Sequence, residues 1–225
     1  MVAESLNHQI EETVSLLKAG EFNKAALILN PLQKSYPDNA EITNLLGYIA
    51  LQKGDVSDAA SLFEKATKKS PSSVGYFSNF GAALLELKQN RAACDAFSKA
   101  CSLQPDNPLL IENLTTAFLR SGRFEKALEL LNTHKEMVEN KLTLQTQKGA
   151  ALSGLERYVE AQACLENVIS KSPIDMDARV NLSVCYNEQG DYLKALTVIT
   201  QMFLQIAWFA EKLGSKGQTD LDQCC

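Results

Sequence analysis

This 225-residue chain is predicted to be all-α, a right-handed solenoid of six helical hairpins. Three observations predict it. Residues 40–73 and 74–107 repeat one another at a spacing of 34, with Gly47 falling on Gly81, Ala59 on Ala93, Phe63 on Phe97, Ala66 on Ala100 and Pro71 on Pro105. The same register extends without insertion or deletion to residues 6–39, 108–141, 142–175 and 176–209. Two columns then stay in phase. Position 20 of the repeat is Ala25, Ala59, Ala93, Ala127, Ala161 and Ala195, and position 8 is Thr13, Gly47, Gly81, Thr115, Gly149 and Ser183. A fixed period of this size, long enough for two helices, marks units that cannot bury their apolar faces alone and must stack.

The elements follow in order. Residues 1–5 read as a short leader, with Ser5 and Asn7 as candidate caps for the first helix. Repeat 1 mixes Ile10, Val14, Leu16 and Leu17 with Glu11 and Glu12, as expected of a terminal repeat with one uncovered face. Gly20 ends its first helix, Phe22 opens the second, and Pro37-Asp38-Asn39 is the turn onward. In each hairpin the small residues at positions 8 and 20 let helices A and B approach. Larger residues at positions 4, 7, 11 and 24 fill the space between layers.

Repeat 4 departs from the pattern, with His134 at position 27 and Glu139 at position 32, so residues 132–147 could continue as helix or fray. Repeat 5 has Gln145 and Lys148 where apolar residues are usual, which predicts the least hydrophobic layer of the array there, either a tolerated weak interface or a hinge at which repeats 1–4 and 5–6 separate. Repeat 6 is regular through Ala195 and Ile199, then runs on in apolar residues to Gly214. Residues 210–225 form a helix end and a polar tail expected to be disordered.

The pattern resembles the tetratricopeptide repeat (TPR): small at position 8, alanine at 20, aromatic at 24, alanine at 27, proline at 32. The resemblance covers about nine-tenths of the chain. It implies a protein-binding scaffold that takes a peptide or a helix in the concave groove lined by the A helices.

Composition narrows the function classes. Net charge is −5 with no stripe of Lys and Arg, which argues against a nucleic-acid partner. No stretch reaches the ~18 apolar residues of a membrane span, and no secretory signal opens the chain, so the expected location is cytoplasmic. Cys94 and Cys101 share one predicted helix about 10 Å apart, too far for a disulfide. With no CxxC or Cys/His spacing, free thiols are expected and no metal site. Cys224-Cys225 resembles a prenylation end, though no GTPase feature accompanies it. Two distant histidines and the absence of nucleotide-binding or hydrolase motifs predict no catalytic residue and no cofactor.

Position 6 is the most informative column: Glu11, Leu45, Asn79, Asn113, Gln147 and Asn181. It lies about 200° round helix A from position 8 and so points away from helix B. Asparagine is a poor helix former, and its recurrence in mid-helix asks for a reason. Its amide offers the donors and acceptor that hold an extended peptide main chain. The column resembles the asparagine ladder in the TPR superhelix of O-GlcNAc transferases. That resemblance makes Asn79, Asn113, Gln147 and Asn181 candidate peptide-binding residues, while Leu45 and Glu11 depart from it. The same asparagines could instead hydrogen-bond between neighbouring A helices. The cationic set of a chaperone-tail clamp is absent from any three successive repeats.

A second surface is expected at the end of the chain. Phe203, Leu204, Trp208 and Phe209 cannot all be hidden by one layer and offer a face for self-association or partner docking. Two further readings stand beside a non-catalytic scaffold. One is the substrate-recognition region of a glycosyltransferase-like enzyme without its catalytic domain. The other is an assembly factor joined through that apolar helix.

Overall fold

Each hairpin is set by what can fit where its helices cross. A Cβ built on Gly47 would stand 2.8 Å from the Phe63 ring, one on Gly81 2.8 Å from the Phe97 ring, and one on Gly149 2.5 Å from Leu165 Cγ. Position 8 therefore abuts position 24 directly. Where position 8 is threonine, the hydroxyl turns back on its own helix: Thr13 Oγ1 donates to Gln9 O at 2.7 Å and Thr115 Oγ1 to Ile111 O at 2.7 Å. Ala25, Ala59, Ala93, Ala127 and Ala161 at position 20 have no exposed surface.

The structure, a computed structural model, describes residues 2–204 and residue 207. Its helices are α1 (Val2–Lys18), α2 (Phe22–Ser35), α3 (Ala40–Gln52), α4 (Val56–Lys69), α5 (Val74–Glu86), α6 (Asn90–Leu103), α7 (Pro108–Arg120), α8 (Phe124–Thr133), α9 (Lys135–Asn140), α10 (Leu142–Gly154), α11 (Tyr158–Lys171) and α12 (Met176–Glu188). A further helix, α13, covers 192–204. There is no strand among the described residues. The chain divides into two compact units, Met1–Ser121 and Gly122–Cys225. The first stacks α1/α2, α3/α4 and α5/α6 and ends on α7. The second holds α8, α9, α10/α11 and α12/α13.

Three sequence expectations need correction. Helix α1 begins at Val2, so Ser5 and Asn7 lie inside it and cap nothing. Alanine and glutamate in its first turn are good helix formers, and nothing there stops the helix. Residues 132–147 neither continue nor fray: α8 ends at Thr133, and α9 and α10 follow. The break falls at His134, whose ring Nδ1 lies 3.0 Å from Leu130 O. The division into units falls after α7, earlier than the junction at Gln145 and Lys148.

That junction is polar but well connected. Gln145 is 6% exposed. Its Nε2 donates to Glu139 O at 2.8 Å and its Oε1 accepts from Asn167 Nδ2 at 3.0 Å. Arg179, at the same position 4 one repeat later and 3% exposed, donates from Nε to Pro173 O at 2.8 Å and from Nη1 to Val198 O at 3.1 Å. In the first turn, Gln33 Nε2 donates to Pro37 O at 3.2 Å and Lys69 Nζ donates to the same carbonyl. Pro37, Glu139 and Pro173 all occupy position 32. In each of these three turns a side chain donates to the carbonyl at position 32.

The link from A to B is equally regular. Position 15 is left-handed in every repeat: Gly20 (φ 77), Gly54 (φ 88), Lys88 (φ 59), Gly122 (φ 71), Glu156 (φ 59) and Gly190 (φ 79). A side chain there costs about 1–2 kcal/mol, against about 0.5–1 kcal/mol of extra chain entropy for glycine. Lys88→Gly and Glu156→Gly should each raise stability by about 0.5–1 kcal/mol, read as a higher urea midpoint at unchanged m-value.

Candidate functional site

The residues of position 6 sit on the A helices, and the structure gives each a distinct neighbourhood. In the first unit, Asn79 of α5 and Leu45 of α3 line one cavity of about 230 Å³ together with Val14, Leu17, Lys18, Asn44 and Tyr48. Val14, Leu17 and Leu45 supply apolar surface. Asn79 Nδ2 donates to Asn44 Oδ1 at 2.9 Å, a bond between neighbouring A helices that leaves further amide donors and lone pairs for a ligand. The Tyr48 ring lies 6.5 Å from that of Phe22, tilted by 56°, so packing fixes its direction. Sequence reasoning set Leu45 aside as a departure from the ladder and gave no weight to Lys18 or Tyr48. The available signal was their spacing, since positions 6, 9 and 13 share one side of a helix.

Asn113, on α7, is half-buried. In the second unit, Gln147 on α10 is half-buried. Asn181 on α12 donates from Nδ2 to Asp177 O, 2.8 Å away and one turn back in its own helix. The four candidates thus divide between two units, Asn79 and Asn113 in one, Gln147 and Asn181 in the other.

Of the expected association surface, Phe203 is 62% and Leu204 70% exposed. Trp208 and Phe209 lie outside the described residues.

The thiols are free at Cys94, Cys101, Cys164 and Cys185. Burial pushes the Cys101 thiol up to about 11, and burial also raises those of Cys164 and Cys185. Thiolate is the reactive form. At pH 8, alkylation of Cys101 should be about 100-fold slower than that of an ordinary thiol of pKa about 9. Its rate should keep rising up to about pH 11, measurable by mass mapping of iodoacetamide adducts.

Close A/B crossings, a constant left-handed link and stacked layers define a helical-hairpin repeat protein. Tetratricopeptide repeat family models match residues 14–74, 75–107 and 146–202, and the chain belongs to that family. Among curated proteins it is 25% identical over 151 residues to the BBSome complex member BBS4 of Bos taurus, covering 67% of this chain and 29% of the relative. It is 25% identical over 191 residues to the protein O-mannosyl-transferase TMTC3 of Homo sapiens, covering 83% of this chain and 20% of the relative. The chain therefore spans less than a third of either.

Among solved structures, a tetratricopeptide repeat protein of Parabacteroides merdae superposes with a TM-score of 0.78 at 16% identity, over 89% of this chain and 80% of that one. YrrB, described as a TPR protein with an unusual peptide-binding site, gives 0.61 at 21% identity over 82% and 97%. The fold suits protein–protein interaction, and scaffolds of this family are generally non-catalytic. No described helix is long and apolar enough to cross a membrane.

Proposed function

We propose that this protein is a non-catalytic scaffold that binds an extended peptide or a helix of a partner protein on its concave, A-helix surface. One observation carries the reading: the cavity of about 230 Å³ lined by α1, α3 and α5. Its apolar floor accepts one large side chain, a burial contributing about 1.5–3 kcal/mol. Asn44 and Asn79 offer amide groups to the adjoining main chain, Asn113 occupies the same repeat position in the first unit, and Gln147 and Asn181 occupy it in the second. The peptide-binding site of YrrB supports the same use of the fold. Free thiols suit a reducing compartment, in keeping with a cytoplasmic location.

A second reading is favoured by the similarity to TMTC3 across 83% of the chain. In it, the array presents substrate polypeptide to a glycosyl-transferring domain. Both readings use the same groove.

The test begins by selecting peptides from a random display library on the immobilised protein. The best binder is then titrated calorimetrically into Leu45→Asp and into a triple Asn79→Ala, Asn113→Ala, Asn181→Ala variant. The triple change should weaken binding by about 0.5–1.5 kcal/mol per lost hydrogen bond while the melting temperature changes little. Unchanged affinity in both variants would remove the groove as the binding site.

A further inference from the structure

In the first unit, where the third hairpin meets α7, three cations from separate parts of the repeat converge on one cavity. It holds about 520 Å³ and lies between the turn joining α5 to α6, the first turn of α6 and the end of α7. Lys88, Arg91 and Arg120 line it, and no acidic residue does so among the described residues. None of the three cations forms an ion pair with a described residue. Position 17 is Phe22, Val56, Phe124, Tyr158 and Tyr192 in the other repeats, but Asn90 here. The matching niche of the first hairpin, lined by Glu21, Phe22 and Lys53, holds about 230 Å³ and carries one charge of each sign. Asn90 therefore replaces an apolar side chain with a polar one at the larger niche. Its Nδ2 donates to Arg120 O at 2.8 Å and ties the end of α7, which bears one guanidinium, to the start of α6, which bears the other. Lys88 adds its ammonium from a left-handed backbone (φ 59) that glycine would adopt without strain.

Three cations without a counter-charge call for an anion, and their geometry narrows which. Two guanidinium forks and an ammonium offer more donors than one carboxylate can accept. A phosphate monoester brings about two negative charges and three acceptor oxygens to the same space. Nucleic acid is a poor occupant. The lining holds no aromatic ring on which a base could stack, and a chain of net charge −5 repels a long polyanion. We infer that this niche binds a phosphate monoester, carried on a phosphorylated side chain of a partner protein or as a free phosphate compound. The site lies apart from the groove of Asn79 and Leu45 and does not depend on it.

The test titrates two probes calorimetrically into the full chain at about pH 8, where a phosphate monoester is a dianion. One is inorganic phosphate, the other an end-blocked Gly-Gly-phosphoserine-Gly-Gly peptide. Saturable binding is expected, weakened about tenfold or more by Arg120→Gln and by Lys88→Gly, since each removes a charge-assisted hydrogen bond. Lys88→Gly should do so while raising the urea midpoint, so a damaged fold cannot explain its loss. The groove triple variant should bind both probes normally, which separates failure here from failure of the groove reading. A peptide bound about tenfold or more tightly than inorganic phosphate assigns the site to a phosphorylated protein, and equal affinities assign it to free phosphate. Three results would overturn the proposal: no saturable binding of either probe at ~1 mM, a millimolar Kd being the weakest contact of interest; equal affinity in the wild type and both charge variants; or equal binding of the unphosphorylated serine peptide. An acidic segment of this chain already seated in the niche would exclude both probes and so give the first of these.

Discussion

Replacing Gly81 by leucine should cost about 3 kcal/mol or more, although glycine in mid-helix is itself unfavourable by about 1 kcal/mol. The Cβ alone would come within 2.8 Å of two Phe97 ring carbons. Phe97 is 1% exposed, so its ring is enclosed by the core and would have to shift within it. Gly81→Ala should therefore also destabilise, against its helix propensity. Phe97→Ala alone removes a buried ring and should cost about 3–5 kcal/mol. The informative measurement is the double variant. With the ring gone, a leucine at residue 81 fills part of the hole, so the combined loss should fall short of the sum by more than about 1 kcal/mol. Additive losses in urea titrations would mean that the two positions do not share one crossing.

Arg179→Ala should be the most damaging change in the second unit. The guanidinium is 3% exposed and donates to the carbonyls of Pro173 and Val198. Removing it takes away the donor to the Pro173 carbonyl and the extra donor to Val198 O, whose carbonyl sits within α13, and opens a void beneath the last layer. Hydrogen bonds from a charged group are each worth about 1.5–3 kcal/mol, so a loss of about 3 kcal/mol or more is expected. Arg179→Lys keeps the charge, but a single ammonium cannot reproduce the fork that reaches both carbonyls, so it should recover only part of the loss. Hydrogen exchange should quicken over residues 176–204 in both variants and remain unchanged over residues 1–121. An alanine variant as well protected as the wild type would rule out the arginine as a fastener of this layer.

The period, the A/B crossings and the small columns were legible because they are side-chain patterns that recur every 34 residues. Gln145 was misread for a physical reason. One of its partners is the backbone carbonyl of Glu139 at position 32, and a backbone acceptor has no letter in the sequence. A polar residue among apolar neighbours then looks like a weak layer when it is a satisfied one. The left-handed column was half visible: four glycines announce it, while Lys88 and Glu156 adopt the same φ without the residue that signals it. At the groove, the sequence isolated Asn79 and its column. It did not reveal that Asn79 bonds to Asn44 or that Leu45 shares its cavity, because both facts depend on how adjacent A helices are offset.

The division after Ser121 changes how the protein should be dissected. Fragments designed from the period alone would stop at residue 107 or 141. A fragment ending at residue 107 would strip α7 from α6 and bring buried Cys94 and Phe97 to the edge of the cut. One ending at residue 121 keeps α7 as a lid, so the first unit carries its own end-piece and is the natural minimal specimen for crystallisation, labelling or grafting onto another repeat array. The compact building block at this end of the chain is three hairpins and one extra helix, out of step with the repeat by which its sequence is counted.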